Sequence, residues 1–318
     1  MAGQAAADLE YKKAVSRELC WAVKEPTLEA LESHAGKHGL TIVQAWRAPR
    51  GEGFKAAAAR FIVDAEDVLI VAFRATIGND EWLEYPQKYF KQRLIPHDGE
   101  APGTNLKVFG VWSLTLDEIW KVPGDKPDGP KDNLRSLIWR QLNSGNRVWL
   151  TGHSKGGAVA TTAASRLLLG DSSVGGKEEA ADPAVRRPEP GTLSLRGGPL
   201  SRLCVFTYNA PMAFSIPLAE LYDARMAEIG RRDEGAARRL HLRGGGEEEE
   251  HQQHVRFEHR ADRVRKLPPS SDMMHVGERR LEGSGLIEDT GVLLGGAIAV
   301  GGVLAAMFAA AAKVVNSH

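Results

Sequence analysis

Residues 152–156 read Gly-His-Ser-Lys-Gly, a G-x-S-x-G pattern centred on Ser154. A serine hydroxyl attacks a carbonyl efficiently only when a base takes its proton and a third group orients that base. In the strand-turn-helix setting that exposes such a serine, the acid and then the histidine follow it in chain order. Besides His318, the histidines beyond Ser154 are His241, His251, His254, His259 and His275, and the first three lie in or beside a charged stretch. Asp262 follows the strand-like "HVRFEH", and His275 follows a proline turn, so this pair is expected to complete the triad. Asp272 is the reserve acid and His259 the reserve base. The developing oxyanion needs two donors. The backbone N–H of Lys155 is one, and Thr76, just past the strand that ends "AFRAT", is the other, its hydroxyl steadying it. This chemistry is acyl transfer through a covalent acyl-enzyme.

Such a site needs a rigid sheet. Apolar patterning predicts helices near 8–24 and 26–38, then strands at 40–46, 59–65 and 67–73, the last apolar enough to be covered on both faces. A helix over 132–146, with Asp132 as N-cap and Gly145 as its stop, leads into a buried strand at 147–151. A small-residue helix then follows Ser154, and "LCVFTY" (203–208) is the next strand. Strands alternating with helices imply an α/β fold with a mainly parallel central sheet and helices on both faces. Gly152 and Gly156 allow the sharp turn that Ser154 requires.

Lysine plus arginine and aspartate plus glutamate both total 41, so no net field recruits nucleic acid. Two cysteines cannot form a disulfide framework, and a buried Cys204 thiol fits a reducing compartment. The N-terminus lacks the basic start and apolar stretch of a secretory signal, which favours an intracellular location. The expected organisation is N-terminal helices over 1–39, a catalytic domain over 40–285 with solvated insertions at 170–201 and 230–253, and a hydrophobic tail over 286–318. Within that tail, 291–312 carries no charge and is long enough to cross a bilayer as a helix. Its glycine and alanine content makes the apolar drive modest, which leaves membrane contact, a buried helix and a loose tail as alternatives.

Four stretches together resemble the class 3 (fungal-type) triacylglycerol lipase family, an α/β-hydrolase family, over roughly residues 40–282. "VLIVAFRATIGNDEWLEY" is similar to the family's strand, oxyanion residue and lid; "LKVFGVWSLTLDEIW" to its V-H-x-G-F segment; "VWLTGHSKGGAVATTAASRLL" to its elbow and helix; and "HRADRVRKLPPSSDMMHVGERR" to its acid, proline turn and histidine. The resemblance implies Ser154, Asp262 and His275 as triad, Thr76 and Lys155 as oxyanion donors, and hydrolysis of lipid carboxylic esters without a metal or other cofactor. Residues 77–90 would be a lid, with Ile77, Trp82, Leu83 and Tyr85 covering the cleft. Three positions depart from the pattern. Ala75 stands for the usual glycine, Phe109 for a histidine, and Lys155 for a leucine, its side chain expected to reach solvent. An A-type phospholipase and a catalytically silent lipid-binding protein are the alternative readings.

Overall fold

The computed structural model describes residues 2–47, 53–63, 66–76, 94–97, 105–125, 132–170, 198–241, 254–259 and 273–282. A seven-stranded sheet runs through their centre in the order β1 (Thr41–Arg47), β2 (Phe54–Val63), β3 (Glu66–Phe73), β6 (Arg147–His153), β7 (Leu203–Tyr208), β9 (His254–His259), β11 (Glu278–Glu282). The first three strands pair antiparallel; β3, β6, β7, β9 and β11 pair parallel. Helices cover both faces, so the fold is the α/β-hydrolase arrangement with a mainly parallel sheet.

Alternation along the strands builds two cores. In β6, Val148 and Leu150 join the larger core, and Trp149 points the other way into the second. The larger core packs α3 (Gly110–Trp120), α4 (Leu134–Asn143), α5 (Lys155–Leu169) and the first part of α6 (Ile216–His241) against one face. On the other face lie α1 (Ala2–Ala22) and α2 (Leu28–Gly36). α1 is tied to the sheet by Ser16 Oγ and Tyr208 Oη at 2.6 Å and by Cys20 Sγ and Thr151 Oγ1 at 3.4 Å. Burial pushes the Cys20 thiol up to about 12. Cys204, expected to be buried, is half-buried instead.

Several boundaries differ from expectation for physical reasons. β2 begins at Phe54, because the alanine run 56–59 is paired on both sides and buried on both faces; Ala56 and Ala58 face one core, Ala57 and Ala59 the other. Tertiary pairing there overrides alanine's helical preference. The N-cap of α4 is Asn133, which accepts from Ser136 N at 2.8 Å. Asp132, expected in that role, forks instead onto Arg140 one turn and more along the helix. Gly145 does end the helix, with φ of 83°. α6 continues to His241, so the first residues of the 230–253 stretch extend a helix. A smaller antiparallel sheet orders β10 (Met273–Met274), β8 (Phe214–Ser215), β5 (Lys107–Phe109) and β4 (Leu94–Pro96), and nothing in the sequence pattern announced it.

Candidate active site

Ser154 occupies the single residue between β6 and α5. Its φ of 52° and ψ of −126° lie in a region that costs a non-glycine residue of order 1–3 kcal/mol. Packing holds it there. Ser154 N donates to Tyr208 O at 2.8 Å, and Ser154 O accepts from Gly157 N at 2.9 Å. A Cβ at Gly152 would stand 2.2 Å from Gly156 C, and one at Gly156 would stand 2.0 Å from Phe73 O. Only glycine allows β6, α5 and the end of β3 to close on one another at these distances. A third glycine, Gly157, is required against Ala210, where a Cβ would meet another at 2.7 Å. The second non-glycine residue of positive φ among the described ones is Asn209, at the end of β7, whose N–H donates to Phe257 O at 2.8 Å. The small Ala210 beside it was the signal that could have marked this supporting turn.

The same closure fixes the candidate oxyanion strand. Gly156 backs onto Phe73 and Arg74, and Thr76 lies two residues further on. Ala75 is buried and has no positive φ, so the missing glycine leaves no strain at that position. The Thr76 hydroxyl, expected to steady the residue, is buried and meets no hydrogen-bond partner among the described residues. Lys155 opens α5 with its side chain buried, not in solvent as expected, because α5 is enclosed between the sheet and α3.

The strand order puts the ends of β3, β6, β7 and β9 along one edge, the carboxyl edge where ligands meet open α/β sheets. Asp262 follows β9 by three residues but, with Asp272 and the lid residues Ile77, Trp82, Leu83 and Tyr85, lies outside the described residues. His259 closes β9 opposite Glu282 of β11. His275 is half-buried in the link between β10 and β11. That link is gripped from two elements: Arg256 Nη1 donates to Val276 O at 3.0 Å, and Gly277 N donates to Asp223 Oδ1 at 2.9 Å. Arg256 is held in turn by Glu258 at 2.8 Å, which Arg279 also meets at 2.7 Å. Burial raises the Asp223 carboxyl, against the opposing pull of the Gly277 N–H and Arg256.

Two other histidines are removed from consideration as base. His153 stacks on Trp21 of α1, on the opposite sheet face from the larger core, and burial, aided by Lys24, pushes it down to about 4. His254 pairs in register with Val205, three residues short of Tyr208, so it sits roughly 10 Å below the elbow. Its Nδ1 is 3.0 Å from Tyr222 Oη, and burial, aided by Arg256, pushes it down to about 3. Both rings are neutral in the folded protein at pH 6, whereas the unfolded chain protonates histidine near pH 6.5. The unfolded state therefore binds more protons between about 6.5 and 4, and stability falls as pH drops through that window. Urea midpoints measured from pH 7 to pH 4 should decline, and His254→Gln should flatten the decline. A midpoint that holds level to pH 4 would show that these rings are not buried as neutral groups.

A model of the class 3 lipase family matches residues 70–271, nearly two thirds of the chain. The chain belongs to that family. Accordingly, it is a carboxylic ester hydrolase with a serine nucleophile. Among solved structures, a triacylglycerol lipase whose catalytic centre is described as a serine protease triad is similar at 17% identity, over 91% of this chain and 90% of that one, with a TM-score of 0.51. A fungal lipase–inhibitor complex matches at 16% identity, over 86% and 80%, with a TM-score of 0.52. Lipase II from Rhizopus niveus matches at 15% identity, over 90% and 83%, with a TM-score of 0.50. These likenesses agree with the sheet described above. No curated protein sequence matches the chain.

Proposed function

We propose that this lipase-family protein hydrolyses acylglycerol esters, with Ser154 as nucleophile, His275 as base and Asp262 orienting the imidazole. The observation that carries the reading is the strained turn at Ser154, held at φ of 52° by three glycines that nothing larger can replace. Backbone strain of this kind persists where the surroundings over-determine it, as a nucleophile elbow does. His275 takes the Ser154 proton as Oγ attacks the ester carbonyl. The oxyanion is received by the N–H of Lys155 and by Thr76, whose buried hydroxyl has no partner among the described residues. Collapse expels the alcohol, which takes the proton from the imidazole, and water attacks the acyl-enzyme by the same route in reverse. The similar triacylglycerol lipase with its serine protease triad supports this assignment. Residues 77–90 would act as the lid, and 291–312 would bring an intracellular protein to a lipid surface. Among the described residues no helix is long and apolar enough to cross a membrane, and 291–312 is not among them.

The test is a panel of p-nitrophenyl esters, triacylglycerols and phospholipids, assayed below and above substrate solubility. Acylglycerols should be turned over at least tenfold faster than phospholipids, with a jump in rate once an interface forms. A preference for phospholipids would make the enzyme an A-type phospholipase, and no jump would remove the lid role of Trp82. His275→Ala should lose turnover while His259→Ala keeps it. A His275→Ala enzyme with full turnover moves the base elsewhere.

A further inference from the structure

On the sheet face away from the larger core, the hairpin of α1 and α2 brings together three side chains that the ester chemistry does not use. Glu18 lies on α1, His34 on α2, and His38 in the turn that follows. One ligand-type atom from each lies within 4.8 Å of the other two. Glu18 Oε2 is 3.9 Å from His34 Nε2 and 3.6 Å from His38 Nε2. Three ligands on a tetrahedral zinc ion, with metal bonds near 2.0–2.1 Å, stand about 3.3 Å apart. Rotamer adjustment of half-exposed side chains covers that difference. A second, independent feature points the same way: Glu25 Oε1 sits 3.1 Å from His34 Nδ1. With the proton on Nδ1 donating to that carboxylate, the lone pair is left on Nε2, the atom facing Glu18. A carboxylate behind a ligating imidazole is the usual outer support of a histidine metal ligand, fixing its tautomer and raising its basicity.

We infer that Glu18, His34 and His38 form a site for a divalent transition ion of the zinc class, with Glu25 holding the His34 ring. Two imidazoles and one carboxylate suit zinc or cobalt better than calcium or magnesium, which take oxygen ligands. Water fills the fourth position. The ion is structural, because it ties α1 to α2 and lies on the sheet face opposite the larger core. α1 in turn carries Trp21, one turn beyond Glu18, which stacks on His153 of the elbow. Binding therefore fastens the helix that supports the Ser154 turn from below.

The test uses the full-length protein, freed of metal by chelation, titrated with zinc in a calorimeter and with cobalt by visible absorption. One equivalent of zinc should bind at micromolar affinity or tighter, and cobalt should give an absorption band between about 500 and 700 nm typical of four-coordination. Saturating zinc should raise Tm by roughly 5 °C. His34→Ala, His38→Ala and Glu18→Ala should each weaken that equivalent more than tenfold, and Glu25→Gln about tenfold. The stretch "EEEEHQQH" at 247–254 is a competing source of ligands, so His251→Ala serves as a control that should leave the equivalent intact. No saturable zinc binding at micromolar concentrations, or an equivalent that survives His34→Ala with His38→Ala, would reduce the cluster to surface ion pairs.

Discussion

Ser154→Ala is expected to fold and to lose turnover by at least about a thousandfold, because the members of a catalytic triad act as a unit and nothing else can form the acyl-enzyme. A fluorophosphonate probe should label the wild-type protein and not the variant. The geometry adds a sharper expectation. Ser154 holds φ of 52° and ψ of −126°, and alanine inherits that strain unchanged. Ser154→Gly relieves it, and the gain exceeds glycine's greater freedom in the unfolded chain. Ser154→Gly should therefore be inert yet about 1 kcal/mol more stable than Ser154→Ala in urea denaturation. Wild-type turnover in Ser154→Ala would remove the nucleophile assignment. Equal stability of the two variants would show that the turn is not strained, and with it would go the structural reason for singling out this serine.

The elbow was legible in the sequence because glycine spacing is local: Gly152 and Gly156 bracket the serine, and the strand and helix on either side announce themselves by composition. The core strands β3, β6 and β7 were legible for the same reason, being short apolar runs between turn residues. What escaped depends on partners distant in the chain. β10 and β8 are two residues each, too short for any periodicity, and exist only because Met273 and Met274 pair with Ser215 and Phe214. The alanine run in β2 becomes strand because β1 and β3 flank it. The burial of Lys155 follows from α3 lying over α5, where Arg166 binds Ser113 Oγ at 2.8 Å and Asp117 at 2.7 Å. The Glu18, His34 and His38 cluster is likewise invisible in sequence, since its ligands come from two helices whose mutual rotation is set by packing against the sheet.

Gly156→Ala should be among the most damaging single-methyl additions in the molecule. Its Cβ would stand 2.0 Å from Phe73 O and 3.0 Å from Arg74 C, backbone atoms at the end of β3 and just beyond it, so no side-chain rotation can make room. Either α5 lifts away from the sheet or the end of β3 is pushed aside, and a loss of about 3 kcal/mol or more follows from overpacking at a site that cannot relax. Gly36→Ala is the matched control. It adds the same methyl at the end of α2, where nothing lies within 4 Å, and should be neutral or stabilising by a few tenths of a kcal/mol. Urea denaturation of the three proteins measures both effects. Activity tells where the strain goes. Displacement of β3 moves Arg74 and with it Thr76, so the fraction of Gly156→Ala that remains folded should turn over ester more slowly per active site, titrated by the fluorophosphonate. If that fraction reacts at the wild-type rate, the end of β3 has kept its place and the accommodation lies in α5. A Gly156→Ala protein as stable as Gly36→Ala would mean that the sheet and the elbow do not meet at Gly156, and the position assigned to Thr76 beside Ser154 would fall with that contact.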